Sequence, residues 1–170
     1  MINANLLAGA VFSSSIDAFS FFERSFYGAK SSGKINYSFC EVLYLVEGKK
    51  MEVSSGSKKL DFEELLRKFS RLDKKIQLKY AVFSDLRKKG YLVKTALKFG
   101  ADFRVYEKGK RMGKAHSKWI VYVEHEANRT TWNEFSAKNR VAHSTKKKLL
   151  LGIVDDERDV LYYETTWLKV

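Results

Sequence analysis

The stretch HSTKKKLLLGIVDDERDVLYYETTW, residues 143–167, decides the fold of the second half of the chain. Its first six residues are polar and basic, and the continuous apolar run that follows, residues 149–154, is typical of a buried strand. The acids and the arginine of residues 155–159 are typical of a turn, and residues 160–163 of a second strand. We therefore expect the chain to leave a helix near His143 and to enter a hairpin of two strands.

The residues before this stretch predict further strands and helices. Apolar side chains recur at helical spacing over residues 77–89, and Gly90 is a typical helix stop. Thr131, with Glu134 three residues later, has the pattern of a capping box and predicts a helix that runs toward His143. Three short runs have the pattern of strands: Tyr91–Val93, Asp102–Tyr106 and Trp119–Val123. The second half is therefore predicted to be a mixed sheet flanked by helices.

The first half predicts a smaller module. Turn residues precede a helix around residues 37–48, which Gly48 can close, and residues 51–53 have the pattern of a short strand. Residues 61–66 open an amphipathic helix with acids at its positive end. The predicted fold class is α/β (α+β), with a small N-terminal α+β domain at residues 1–75 and a mixed-sheet domain at residues 76–170. The boundary rests on a change of pattern and of charge.

Composition limits the classes of protein. The 170 residues are 45% hydrophobic and 14% aromatic, which is ample for a core. No apolar run reaches the roughly 18 residues of a membrane span, and the first residues lack the basic region of a signal peptide, so we expect an intracellular, cytoplasmic protein and no membrane partner. The single cysteine, Cys40, lies in an apolar helical run and is expected to be buried. No histidine or cysteine has metal-ligand spacing, which disfavours a catalytic metal.

The charge is strongly positive and unevenly distributed. The net charge is +12, and residues 1–75 carry 12 Lys and Arg against 9 Asp and Glu, whereas residues 76–170 carry 20 against 11. The excess of positive charge indicates either a polyanionic partner, bound mainly by the second domain, or a surface whose charges only keep the protein in solution.

Three polar residues at predicted strand ends have the chemistry for cutting RNA without a metal. Such a reaction needs a base for the 2′-OH, an acid for the leaving 5′ oxygen and a cation for the charge that develops on phosphate. Tyr106 ends one strand, His116 precedes the next, and Lys147 enters a third. Each has an ordinary structural reading as well, as a packed tyrosine, a solvated loop histidine or a solvated lysine. The residues alone therefore indicate a basic α/β protein that could bind RNA.

Three blocks of sequence occur in order over nearly all of residues 76–170: GYLVKTALKFGADFRVYEKG, AHSKWIVYV and RVAHSTKKKLLLGIVDDERDVLYYETTWLKV. They resemble the catalytic domain of the archaeal tRNA-splicing endonuclease, and YGAK, SFCEVLYLVEGKKMEV and LDFEELLRKF resemble its N-terminal domain. The resemblance implies a tRNA-intron endonuclease-like fold, with precursor tRNA as the partner. It also implies metal-independent cleavage at bulge-helix-bulge sites, without a cofactor, that leaves 2′,3′-cyclic phosphate and 5′-OH ends.

The resemblance also implies roles for single residues. Tyr106 matches the general base, His116 the general acid, and Lys147 the group that stabilises the charge of the transition state. A tyrosine hydroxyl is protonated at neutral pH, so a tyrosine base needs nearby cations that favour the phenolate. Lys146 and Lys148 would point away from Lys147 if this segment were extended, as phosphate contacts or as surface charge.

A base clamp and a subunit contact are implied in the same way. Arg140 matches a residue that stacks on an extruded base, and the opposing member would come from Tyr162, Tyr163 or Trp167. The resemblance also implies that the acidic turn inserts into a neighbouring subunit as a plug. Its acidic residues are Asp155, Asp156, Glu157 and Asp159. A plain polar hairpin is the alternative for this turn.

The assembly implied is a homotetramer or two catalytic plus two structural subunits. A noncatalytic RNA-binding or scaffolding subunit of the same assembly is the alternative function. A magnesium-dependent DNA nuclease would need clustered carboxylates, for which Asp102 with Glu124 is too small a set.

Overall fold

The computed structural model describes residues 1–110 and 112–170, which divide into two compact units, Met1–Tyr80 and Ala81–Val170. The division falls within a helix that spans Ile76–Lys88, close to the boundary that the sequence predicts at residue 75. Each unit contains its own sheet.

The first unit is a small α+β module, as predicted. Its sheet has the strand order β3-β4-β2-β1-β5-β6, in which β1 and β5 are parallel and the other neighbours antiparallel. Capping boxes at Ser38 and Asp61 begin the two helices that the sequence predicts, and Cys40 is buried as expected. The elements are β1 (Ile2–Leu7), β2 (Ala10–Ser13), α1 (Ile16–Ser25), β3 (Ala29–Ser31), β4 (Lys34–Tyr37), α2 (Phe39–Glu47), β5 (Met51–Ser55), β6 (Lys58–Leu60) and α3 (Phe62–Leu72).

The second unit is the predicted mixed sheet with helices. The helix α4 (Ile76–Lys88) continues into it, followed by β7 (Leu92–Ala96), a 3₁₀ turn (Leu97–Phe99), β8 (Ala101–Tyr106), β9 (Trp119–His125), α5 (Trp132–Ser144), β10 (Lys148–Val154) and β11 (Val160–Thr165). The strand order is β11-β10-β9-β8-β7. Strands β9 and β10 are parallel, and the other neighbours are antiparallel. Thr131 and Glu134 form the predicted capping box of α5.

The two faces of this sheet are covered by different helices. On one face, Ile120 and Leu149 are fully buried and cluster with Ala142 of α5. On the other face, the ring of Phe83 in α4 lies 5.8 Å from that of Phe103 in β8. Because side chains alternate along a strand, a shift of one position moves a side chain from the face covered by α5 to the face covered by α4.

No helix among the described residues is both long and apolar enough to cross a membrane.

Candidate active site

The strand ends that carry the predicted catalytic residues meet at one edge of the second sheet. Strand β8 ends at Tyr106, and its neighbour β9 runs in the opposite direction, so the start of β9 lies beside that end. Strand β10 is parallel to β9 and therefore also starts at this edge. Backbone hydrogen bonds join the three strands here: Lys118 N–H donates to Val105 O, and Lys148 N–H donates to Lys118 O, each over 2.9 Å.

The backbone of Lys147 is fixed between α5 and β10. The chain turns at Lys146, whose φ of 55° is left-handed, and the Lys147 N–H donates to the carbonyl of Ala142 over 2.8 Å. The fully buried Leu149 then anchors β10. The segment is therefore a tight turn at Lys146 and not an extended strand, and the Lys146 side chain is exposed. Lys148 begins the strand and forms an ion pair with Glu164.

The side chain of Lys147 lies in a partly buried, positively charged environment. Its Nζ donates to the carbonyl of Thr145 over 3.0 Å and lies 5.8 Å from the centre of the Phe99 ring. Burial, and then the charges of Arg104 and Lys98, lower the pKa of Lys147 below its ordinary value. An ammonium group in such a place is well suited to an anionic ligand, because the ligand relieves both the repulsion and the loss of solvation.

Tyr106 is buried, with 4% of its surface exposed, at the end of β8 opposite Leu92. Alternation along β8 places it on the same face as Arg104, which lies across from Ile120 and thus on the α5 side of the sheet. This is the face on which the Lys147 side chain meets Phe99. Tyr106 and Lys147 therefore share a face as well as an edge.

His116 lies in the loop that joins β8 to β9 and is exposed. The loop returns to the edge at Lys118, whose ammonium is 2.6 Å from the Glu107 carboxylate and lowers the pKa of that carboxyl. In the described part of the chain, no hydrogen bond joins His116 to Tyr106 or Lys147. The structure thus brings the three residues to one edge without connecting them.

Two of the predicted RNA-binding residues line one surface cavity. The cavity has a volume of about 340 Å³ and lies between α5 and the end of β11. Arg140 is exposed at its wall. The Trp167 ring, 44% exposed, has its centre 4.3 Å from that of the His143 ring and is tilted by 45° to it. The cavity is lined by Phe135, Ser136, Asn139, Arg140, Thr165, Thr166 and Trp167. An arginine and an indole on one cavity can present stacking surfaces to a nucleobase.

Tyr162 lies on the other face of the sheet, away from that cavity. It pairs with Gly152, whose Cα faces Val82 of α4, and its hydroxyl donates to the Asp85 carboxylate over 2.7 Å. Burial, and then the bond to Asp85, raise the pKa of Tyr162. The structure does not bring Tyr162 together with Arg140 and Trp167. Tyr163, on the opposite face of β11, is 54% exposed.

The acidic turn joins β10 to β11 and is closed by two hydrogen bonds between its first and last residues, Asp155 and Asp159. The Asp159 N–H donates to the Asp155 carboxylate over 2.8 Å, and the Asp155 N–H donates to the Asp159 carbonyl over 3.1 Å. Asp156 and Glu157 are left exposed. His125 at the end of β9 accepts a hydrogen bond at Nδ1 from the Ala127 N–H, so its Nε2 can donate to Asp156, 3.0 Å away. Sequence reasoning gave His125 no part in this turn.

Within residues 1–110 and 112–170, no three His, Cys, Asp or Glu side chains converge as a set that could hold a metal ion. Sequence reasoning also missed Arg104 and Phe99, which surround Lys147. The available signal was the even spacing of Arg104 and Tyr106 on one strand.

Comparison with known proteins identifies the family of this chain. The model of the tRNA intron endonuclease catalytic C-terminal domain matches residues 76–162, and that of the tRNA intron endonuclease N-terminal domain matches residues 2–66. The chain belongs to the tRNA intron endonuclease family.

Relatives similar to this chain are named tRNA-splicing endonuclease. The protein of Thermococcus kodakarensis is 39% identical over 170 residues, which cover 99% of each chain. That of Thermococcus onnurineus is 40% identical over 148 residues, 87% of this chain and 85% of its own. That of Nanoarchaeum equitans is 46% identical over 135 residues, 76% of this chain and 86% of its own.

Proposed function

We propose that this chain is the catalytic subunit of a tRNA-splicing endoribonuclease that cuts introns from precursor tRNA at bulge-helix-bulge sites. The observation that carries the proposal is the shared edge of β8, β9 and β10, where a tyrosine, a histidine and a lysine lie at three neighbouring strand ends. Adjacent strands are about 4.8 Å apart, so β8 and β10 lie roughly 10 Å apart, a gap that a phosphodiester and two side chains can fill.

The proposed reaction is a transesterification that needs no metal. The phenolate of Tyr106 takes the proton of the 2′-OH, and the 2′ oxygen forms a bond to phosphorus. The bond from phosphorus to the 5′ oxygen breaks, and protonated His116 gives its proton to that oxygen. The products are a 2′,3′-cyclic phosphate and a 5′-OH, and Lys147 stabilises the additional negative charge on the phosphoryl oxygens while it develops.

The exposure of His116 is consistent with this role. An acid that protonates a leaving group must reach a substrate, and His116 lies exposed at the surface. Catalytic hydrogen bonds are often long or poorly aligned without a substrate, so His116, in the loop that leads into β9, is proposed to meet the 5′ oxygen once RNA is bound.

The cavity between α5 and β11 is proposed to hold an extruded base of the bulge. The exposed Arg140 would stack on one side of the base while its charge attracts phosphate, and Trp167 would stack on the other side. Lys146, exposed in the turn beside the site, would contact the RNA backbone.

Assembly is proposed to use the acidic turn. Asp155 and Asp159 close the turn, which holds Asp156 and Glu157 outward in a fixed shape. A preformed acidic loop suits a basic pocket on another subunit, because complementary charge selects the partner and the register. The assembly would be a homotetramer or two catalytic chains with two structural chains.

A cleavage assay with the purified chain alone tests the proposed function. Precursor tRNA with a bulge-helix-bulge is incubated with excess EDTA, the same transcript without its intron is the control, and the ends of the fragments are mapped. We expect cuts at both splice junctions with 2′,3′-cyclic phosphate and 5′-OH ends. Loss of cleavage on adding EDTA would contradict the metal-free reaction, and binding of the RNA without cleavage would favour the noncatalytic subunit.

A further inference from the structure

Arg104 in β8 is a partly buried cation. Its buried Nε has no hydrogen-bond partner among the residues that the structure describes. Leaving a buried donor of a charged group unpaired is destabilising. Such a group in the middle of a strand is expected to have a use that offsets this cost.

Arg104 lies within the candidate site. It is two residues before Tyr106 on β8, which places both side chains on one face about 7 Å apart. On the same face it is directly across from Ile120, which in turn lies directly across from Leu149, two residues after Lys147. Its charge acts on Lys147 strongly enough to help lower the pKa of that lysine.

The cations around Phe99 repel one another unless an anion lies between them. The Nζ atoms of Lys98 and Lys147 lie 5.0 and 5.8 Å from the centre of the Phe99 ring, and Arg104 is the other positive charge that acts on Lys147. Among the residues that the structure describes, the charged groups that shift the pKa of Lys147 are Arg104 and Lys98, both cations. Three positive charges of this kind are most stable around a phosphate, to which an arginine can donate two parallel hydrogen bonds.

We propose that Arg104 binds the phosphodiester that is cut, together with Lys147. The inference rests on the proposed function, since it takes the substrate to be RNA. Arg104 would hold the phosphoryl group against β8, so that the 2′-OH faces Tyr106 while Lys147 meets the charge that develops. The fork of the guanidinium fixes the orientation of the phosphate, which a single ammonium cannot do.

Two variants separate this role from a structural one. Arg104→Met removes the charge and the unpaired Nε while keeping an unbranched apolar stem, and Arg104→Lys keeps the charge without the fork. We expect Arg104→Met to lower kcat/KM about a hundredfold, with most of the loss in kcat, and Arg104→Lys to recover only part of it. The melting temperature of Arg104→Met should equal or exceed that of the wild type, whereas a structural arginine would lower it on removal. Arg67→Met, at an exposed position of α3, is the matched control.

A spectroscopic measurement tests the contact independently of RNA cleavage. The ¹H–¹⁵N resonance of the Arg104 Nε is followed by NMR in the full chain while inorganic phosphate is added, with the resonance of Arg67 as control. We expect a saturable shift of the Arg104 resonance alone. A static Arg104 resonance, or undiminished cleavage by both Arg104 variants, would overturn the proposal. A wild-type chain that shows the shift but leaves precursor tRNA uncut would instead contradict the proposed function and keep the anion site.

Discussion

Replacing Tyr162 by phenylalanine separates a packing role from an RNA-binding role. The change removes the hydroxyl that donates to Asp85 over 2.7 Å and keeps the ring that packs against α4. A hydrogen bond to an ionised carboxylate contributes about 1.5–3 kcal/mol. Asp85 keeps its ion pair with the Lys89 ammonium, also 2.7 Å away. We therefore expect Tyr162→Phe to lower the unfolding free energy by about 1.5 kcal/mol, the lower end of this range. For a chain of this size that lowers the melting temperature by about 3–6 °C.

The same hydroxyl predicts how stability changes with pH. Tyr162 has a raised pKa in the folded chain, because burial and the bond to Asp85 favour the protonated phenol. A tyrosine in the unfolded chain titrates near about pH 10. The stabilising contribution is therefore complete below about pH 10 and is lost as the pH rises toward the pKa of the folded state. The difference in stability between the wild type and Tyr162→Phe should shrink as the pH rises above that point.

Urea unfolding at pH 7 and at pH values above 10, with RNA cleavage measured in parallel, checks both expectations. The packing role predicts a variant that is less stable at pH 7 and that cuts RNA at the wild-type rate at a temperature where both are folded. A variant with wild-type stability and weakened RNA binding would refute this reasoning and place Tyr162 at the RNA.

Three further outcomes are expected. Thr131→Ala removes the side-chain oxygen that accepts from the Glu134 N–H and should lower the unfolding free energy by about 1 kcal/mol in urea titrations, with Thr131→Ser close to the wild type. Asp156→Asn combined with Glu157→Gln should reduce the mass of the assembly measured by light scattering at low salt, and an unchanged mass would argue against a plug. Trp167→Leu should weaken binding of precursor tRNA about tenfold in filter-binding titrations, since a stacked base contributes about 1–3 kcal/mol, and equal affinity would remove Trp167 from the clamp.

Much of the fold follows from local signals in the sequence. The capping box predicted at Thr131 begins α5, because a cap satisfies backbone groups within one turn. The helices predicted near residues 37 and 61 begin there too, with capping boxes at Ser38 and Asp61. The run after Lys147 forms a strand between a turn and the acidic hairpin, as its composition indicates. The short strand Ala29–Ser31 could not be predicted in the same way, since all of its residues are exposed and leave no apolar period.

The candidate site depends on information that a single sequence does not contain. Spacing placed Tyr106 and Lys147 at strand ends, but only the register of β8, β9 and β10 shows that they share a face with Arg104. An arginine in a strand is ordinarily a solvated side chain. Its even spacing from Tyr106 indicates a shared face of the strand, but it does not show that Arg104 lies near Lys147. Tyr162 was a candidate for the base clamp, but the structure places it against α4. The alternation of side chains along β11 does not tell which helix covers which face of the sheet.

The single-turnover rate of precursor tRNA cleavage by Lys147→Ala and His116→Ala, in EDTA, tests the central claim most directly. The purified variants are compared with the wild type and with Lys59→Ala, which changes an exposed lysine of the first unit. If this chain supplies the charge-stabilising cation and the acid, each of the two variants should be slower by about 10²–10³-fold while Lys59→Ala keeps the wild-type rate. Cleavage by either variant at the wild-type rate would show that the reaction does not depend on that residue and would contradict the proposed site.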